Sequence, residues 1–295
     1  MDAPATAQGP NADQPAVHRL RILRGLRPEL YQHPLDSAAL QKLKGFPGFE
    51  TLVRKFWDLG LDKVLYLGNV SSHTRITPKQ YPDLHRMVET AAMVLDVPVP
   101  EVYIELDPQP NAMAIGINRP SIVLTTGLLQ SFPRPQVLYA IGHEVGHIKS
   151  AHVLYLNMAT YLGVVTEIAS ELTLGLGGLI GAGLQLALLE WARKSEFTAD
   201  RASLLVVQDL EVVIRGIMLL AGAQVIPRGQ ESLDEFVQQA EELESQSESI
   251  TKFWKWLILL GRAHPFAVLR ASELIKWHKS GAFESILNPA AAPGA

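Results

Sequence analysis

The sequence predicts an α+β fold, mostly helical, with a few short strands near the middle of the chain. Three observations predict it. Apolar residues recur at helical spacing through most of the chain. Three short β-prone segments, Glu101–Leu106, Asn111–Ile117 and Ser121–Thr126, stand together near its middle. The 295 residues are 47% hydrophobic and 19% charged, enough for a sizeable core in one large domain or two small ones. A charged fraction below the usual quarter, with mean hydropathy of +0.11, excludes wholesale disorder. The absence of cysteine excludes a disulfide scaffold, a thiolate zinc finger, an iron–sulfur site and a Cys nucleophile. A net charge of −4 and a pI near 6.1 argue against a nucleic-acid binder.

Residues 1–16 lack periodicity and read as a disordered tail, with no apolar run of a secretory signal. Arg19, Arg21, Arg24 and Arg27 alternate with Leu and Ile. The favoured reading is a segment packed on the domain with its arginines in solvent, ahead of contact with an acidic membrane. Phe49, Leu52, Val53, Phe56, Trp57 and Leu59 predict a helix from Pro47, and Val64–Leu67 is either its continuation or a short strand. Pro82–Leu95 predicts a second helix, stopped by Pro98 and Pro100. The last two strands are joined by the turn Asn118-Arg119-Pro120. Pro133 and Pro135 precede a helix from about Gln136 to His152, and nearly everything after it reads helical. The acidic stretch 228–248 reads as an exposed helix or mobile loop, and 288–295 as a tail. The expected organisation is an N-terminal helical region over 17–100 and a catalytic core over 101–287.

His143-Glu144-Val145-Gly146-His147 carries the chemistry. Its neighbours Val137, Leu138, Ala140, Ile141, Val145 and Ile148 follow a helical stripe, and residues four apart on a helix share a face. Two imidazoles so placed suit one Zn²⁺, with Glu144 beside them to hold the attacking water without ligating. Such a site needs a third protein ligand. The extended pattern with Gly three and His six residues further on is absent, since Ser150 and Val153 stand there. His152 is one residue out of register and reads as an ordinary helix-end histidine. The remaining candidates are Glu167, Glu171, Glu190, Glu196 and Glu211. Glu196 is preferred because Asp200 follows one helical turn later, placed to accept the second ring N–H of a ligand histidine. Glu190 is the fallback.

These motifs resemble the zinc metallopeptidases of the HtpX and CAAX prenyl protease group, metallopeptidase family forty-eight, among the gluzincins. Five stretches carry the resemblance: Asn111–Gly116, Ile122–Leu129, the His143–His147 helix, Ser195–Asp200, and Arg262-Ala263-His264-Pro265. The resemblance implies a zincin-like fold, with the sheet over the two zinc-bearing helices. It implies a zinc-dependent metalloendopeptidase acting on peptide or protein substrates through a zinc-activated water, with one Zn²⁺ per chain on His143, His147 and Glu196. Glu144 is then the general base and His264 stabilises the oxyanion. The strand of Ser121, Ile122, Val123, Leu124 and Thr125 becomes the sheet edge that receives an extended peptide, and Asn111 supports the edge-strand loop.

Several members of that family are integral membrane proteins. Here Leu172–Leu189 is an uncharged stretch of eighteen residues with five glycines, only just long enough to span. Ligands on one ion require an even number of crossings between them, and Val153–Thr166 is too short to be the partner span. The favoured reading of 153–189 is therefore a buried or peripherally membrane-touching hairpin of a cytoplasmic protein. The Trp-rich run 253–260 reads as a core helix, with a lid or interfacial anchor as the alternative. Two other functions compete: a catalytically latent zinc-binding scaffold or chaperone-like membrane-associated protein, and a helical interaction protein with a chance motif. Substrate, latency and oligomeric state are not legible.

Overall fold

The computed structural model describes residues 20–58, 60–161, 163, 177–223, 232–246 and 267–288. Leu23 and Leu26 enter the core while Arg21, Arg24 and Arg27 stay exposed, so the arginine-spaced segment lies on the domain. Helix α1 (Pro34–Lys44) starts with Pro at its first turn, capped by His33, whose Nδ1 accepts the Leu35 N–H at 3.1 Å. The next helical run is two helices, α2 (Phe49–Asp58) and α3 (Leu61–Ser72). Gly60 between them takes a φ of 65°, a left-handed turn that glycine adopts without steric cost. Val64–Leu67 therefore lies within a helix. Strand β1 (Thr74–Ile76) has only three residues, too few for an alternating pattern to show. Helix α4 (Pro82–Leu95) has the bounds its periodicity predicts.

Strands β2 (Glu101–Glu105), β3 (Ala112–Ile115) and β4 (Ser121–Thr125) join β1 in one sheet of order β1-β2-β4-β3. This corrects the expected substrate strand. β4 pairs parallel with β2 and antiparallel with β3, so both its hydrogen-bonding sides are used. Ser121, Ile122, Val123, Leu124 and Thr125 are all buried. The polar end of β4 anchors its neighbour instead: Thr125 Oγ1 donates to the Gln109 carbonyl at 2.7 Å and accepts the Asn111 N–H at 2.9 Å. The open edge on this side is β3.

Helix α5 (Thr126–Ser131) leads into α6 (Arg134–Lys149) and α7 (Val153–Thr160). Helices α8 (Gly177–Val207), α9 (Leu210–Leu220), α10 (Leu233–Gln246), α11 (Ala267–Lys279) and α12 (Ala282–Leu287) follow. One core lies among the sheet, α4, α6, the C-terminal half of α8, α9 and α11. A second gathers Leu43, Leu52, Phe56, Met158, Leu188 and Trp191 from α1, α2, α7 and α8. The acidic stretch is in part helical, as α10. Residues 164–176, where the expected apolar hairpin would turn, lie outside the described residues, as does the run 253–260. Among the described residues, no helix is long and apolar enough to cross a membrane.

Helices α6 and α8 form the central pair, and small residues set their separation. A Cβ added to Gly146 would stand 2.6 Å from the Ala202 Cβ and 3.4 Å from Ala199 backbone. Nothing flexible is there to yield. Gly146→Ala is expected to destabilise the fold by about 1–3 kcal/mol, the usual cost of overpacking, in urea unfolding. Wild-type stability would show that the two helices separate freely.

Candidate metal centre

Helix α6 presents His143, Glu144 and His147 on one buried face, and α8 brings Glu196 and Asp200 against it. His143 Nε2 and His147 Nε2 lie 3.2 Å apart. Glu196 reaches them at 3.4 Å (Oε2 to His143) and 3.3 Å (Oε1 to His147). A tetrahedral ion at about 2.0–2.1 Å from each donor would space its ligands about 3.3 Å apart. The two imidazole nitrogens and the two Glu196 oxygens approach one another at about that spacing, and these residues are a group that could hold a metal ion. The formal charge agrees. Glu144, Glu196 and Asp200 place three buried carboxyl groups here against the one guanidinium of Arg270, an excess of acidic groups that suits a cation. Burial opposes a charge on His143, yet the carboxylates of Asp200 and Glu196 outweigh it and lift the imidazole to about 10. The pocket favours positive charge.

Each imidazole is oriented from behind. His143 Nδ1 faces Asp200 Oδ1 at 3.1 Å and donates to it, so that Nε2 is the ring nitrogen left to face a metal. Asp200 is in turn held by Arg270, through Nε to Oδ2 at 2.7 Å and Nη2 to Oδ1 at 2.6 Å. Arg270 also donates to the Tyr139 hydroxyl at 3.0 Å, and its Nη1 lies 3.3 Å from Glu196 Oε2. Burial would raise the Asp200 carboxyl, but the Arg270 guanidinium and His143 hold it below its ordinary value. Neither Arg270 nor Tyr139 is apparent from the motifs. Tyr139 carries a usable signal, since it lies one helical turn before His143 on the same face. Arg270 carries none.

His152 is a correction: it is no ordinary helix-end histidine. Its Nδ1 lies 3.1 Å from His147 Nδ1, and the residue is buried. The end of α6 explains why. Ala151 takes a left-handed φ of 56°, the Ala151 N–H bonds the Ile148 carbonyl, and the His152 N–H bonds the His147 carbonyl at 3.0 Å. That is a Schellman ending, which folds the second residue past the helix back over the third from its end. Here those two residues are His152 and His147. A left-handed alanine costs on the order of 1 kcal/mol, and such strain gathers at functional sites. Beyond His152 stands Asp36 of α1, its Oδ2 3.2 Å from His152 Nε2, without an aligned hydrogen bond. Burial keeps the His152 imidazole below its ordinary value and hence neutral. Nearby, the N–H of His33 and the Lys276 ammonium hold the Glu273 carboxyl at about 2, tying α1 to α11.

A cavity of about 20 Å³, room for one water, is bordered by Glu144, His143, Asn111 and Ala112. Asn111 thus stands beside the site at the start of the edge strand. The other carboxylates considered do not join it. Glu190 faces Lys194 and Lys42 at the surface, and Glu211 pairs with Arg215. Glu167, Glu171 and His264 lie outside the described residues.

The comparisons with known proteins agree with this geometry. Peptidase family M48 matches residues 78–278, about two thirds of the chain. The chain is 30% identical over 275 residues to the plastoglobule-localized metallopeptidase 48, chloroplastic, of Arabidopsis thaliana, covering 91% of this chain and 78% of that protein. It is 33% identical over 183 residues to a Protease HtpX homolog of Streptococcus uberis, covering 50% of this chain and 61% of that one. A Listeria innocua Protease HtpX homolog is 38% identical over 108 residues, 35% and 36% of the two chains. The chain thus spans less than two thirds of either HtpX homolog. No solved structure matches. Taken with the buried His-His-Glu group, the match over residues 78–278 leads to one conclusion: the chain belongs to peptidase family M48 and is a zinc metallopeptidase.

Proposed function

We propose that one Zn²⁺ per chain is held by His143, His147 and Glu196, and that the protein is an endopeptidase which binds its substrate as an added strand on β3. The observation that carries this reading is the convergence of His143 Nε2, His147 Nε2 and the Glu196 carboxylate, with approaches of 3.2–3.4 Å, and Glu144 beside them. When bound, the metal polarises the scissile carbonyl and lowers the pKa of water. Glu144 takes the proton of the attacking water and passes it to the leaving amine. Asp200 keeps the His143 lone pair turned inward, and Arg270 keeps Asp200 in place.

The register of β3 supports the substrate path. The Thr125 N–H bonds the Asn111 carbonyl, so the odd-numbered residues 111, 113 and 115 turn their backbone groups to β4. Ala112 and Ala114 then point theirs away from β4, on the side where an extended peptide would add. A peptide laid there runs past Glu144, which borders the same cavity as Ala112.

Protein purified without chelator is expected to carry one zinc per chain by elemental analysis and to cut an unfolded protein internally. Glu196→Gln removes the charge that completes the site and is expected to lower zinc content to below about a tenth of wild type under the same dialysis. Full zinc retention in Glu196→Gln would move the third ligand elsewhere. Release of single terminal residues only would reject the endopeptidase assignment.

A further inference from the structure

We propose that Asp36 and His152 form an outer relay that selects the metal-binding tautomer of His147, so that the N-terminal segment completes the metal centre. This rests on His147 being a metal ligand. Asp36 lies on α1, outside the 78–278 stretch that the family matches.

The directions of the hydrogen bonds can be assigned one by one. Trp191 Nε1 can only donate, and it lies 2.9 Å from Asp36 Oδ1. The Thr198 hydroxyl accepts the His33 N–H and donates to Asp36 Oδ2 at 2.7 Å. Gln32 Nε2 donates to the same oxygen at 3.3 Å. Asp36 is fully buried, and its remaining neighbour is His152 Nε2 at 3.2 Å. The Asp36 carboxylate stands 3.2 Å from His152 Nε2 without an aligned hydrogen bond, and its negative charge favours the proton on that nitrogen, which leaves a lone pair on Nδ1. His152 Nδ1 faces His147 Nδ1 at 3.1 Å, so His147 must place its proton there. His147 Nε2 is then a bare lone pair, aimed at His143 Nε2 and Glu196. The path from Asp36 to the metal face is thus one electrostatic approach, Asp36 to His152, followed by one ring-to-ring contact, His152 to His147. His143 receives the same service from Asp200 directly. The protein thus orients its two imidazoles by two different routes, one within the α6–α8 pair and one through α1.

The relay also accounts for an otherwise costly burial. Asp36 is ionised among the neutral donors Trp191, Thr198 and Gln32, and buried charges need compensation. A divalent cation on His147, linked through two polarisable rings, supplies it.

Asp36→Asn tests this because it inverts the chain of protons without emptying the site. Trp191 forces the Asn carbonyl oxygen into the Oδ1 position, so the NH₂ group faces His152 Nε2. His152 then carries its proton on Nδ1, and His147 is driven to hold its own on Nε2, the metal face. In the full-length protein, zinc affinity measured by chelator competition is expected to fall about 10–100-fold. Melting of the zinc-free protein should fall by no more than the lost Thr198 and Gln32 bonds to Oδ2 account for, while the rise in Tm on adding zinc shrinks. His152→Asn, which leaves the other donors to Asp36 in place, should also weaken zinc binding, and the double variant should be no weaker than the worse single one. Zinc affinity within twofold of wild type in a folded Asp36→Asn protein overturns the relay. So does an equal loss of Tm with and without zinc, which marks a packing role alone. If Asp36→Asn does not fold, wild-type zinc affinity in His152→Asn overturns it. His147→Ala separates the two readings: if it keeps full zinc affinity, the ligand assignment itself fails.

Discussion

Glu144→Gln is expected to keep its zinc and lose peptide hydrolysis by about a thousandfold, within the range that removal of a general base produces. Glutamine preserves the shape and burial of the side chain on α6 and alters only its capacity to take a proton. The proposed metal donors, His143, His147 and Glu196, are untouched, so zinc content by elemental analysis should match wild type. Measured against an unfolded protein substrate, kcat should fall while KM stays near its wild-type value, because Glu144 acts on the water and not on the peptide. This variant also separates a peptidase from a latent zinc-binding scaffold. Turnover equal to wild type would place the base elsewhere. Loss of zinc along with activity would mean that Glu144 itself supports the metal.

Arg270→Ala should destabilise the folded protein by about 3–5 kcal/mol, the usual consequence of stripping one partner from a buried ion pair. Both faces of the guanidinium are committed: two bonds to Asp200, one to Tyr139 and an approach to Glu196. Its removal leaves Asp200 ionised and buried in the α6–α8 interface. Urea unfolding should show the loss directly, and zinc should restore part of it, since the cation supplies charge to the same cluster. A second variant isolates the role. Arg270→Met combined with Asp200→Leu replaces the whole pair by apolar side chains, which commonly regains stability. It cannot regain zinc affinity, because His143 then lacks an acceptor for its Nδ1–H. A cost below about 1 kcal/mol for Arg270→Ala would show that the guanidinium is not the strut between α11 and the site.

The parts of the site that were legible share a length scale. His143, Glu144 and His147 stand within one and a half turns of a helix, and Glu196 and Asp200 within one turn of another. Helical periodicity converts such spacing directly into a shared face, so residue type and interval suffice. Pro82–Leu95 was legible for the same reason. The strands were found as segments, but their order was not. Hairpin logic pairs β3 with β4; it does not say that β2 takes the other side of β4. The edge strand on this side is therefore Ala112–Ile115 and not Ser121–Thr125. His152 was read in isolation because its meaning depends on Ala151 adopting a left-handed turn, which residue types alone do not announce.

By itself, then, the sequence determined the candidates: two histidines four apart with a glutamate beside them on one helix, and a Glu-Asp pair one turn apart on another. Each group follows from local geometry, where four residues along a helix always span the same distance; that the two groups meet does not. Tertiary structure alone decided what surrounds them. Arg270 meets Asp200 across 70 positions, Thr198 meets Asp36 across 162, and Trp191 meets Asp36 across 155. No periodicity links residues so far apart. They come together because two apolar cores bury the helices that carry them, and a polar atom trapped between those helices must find its partner there or remain unpaired.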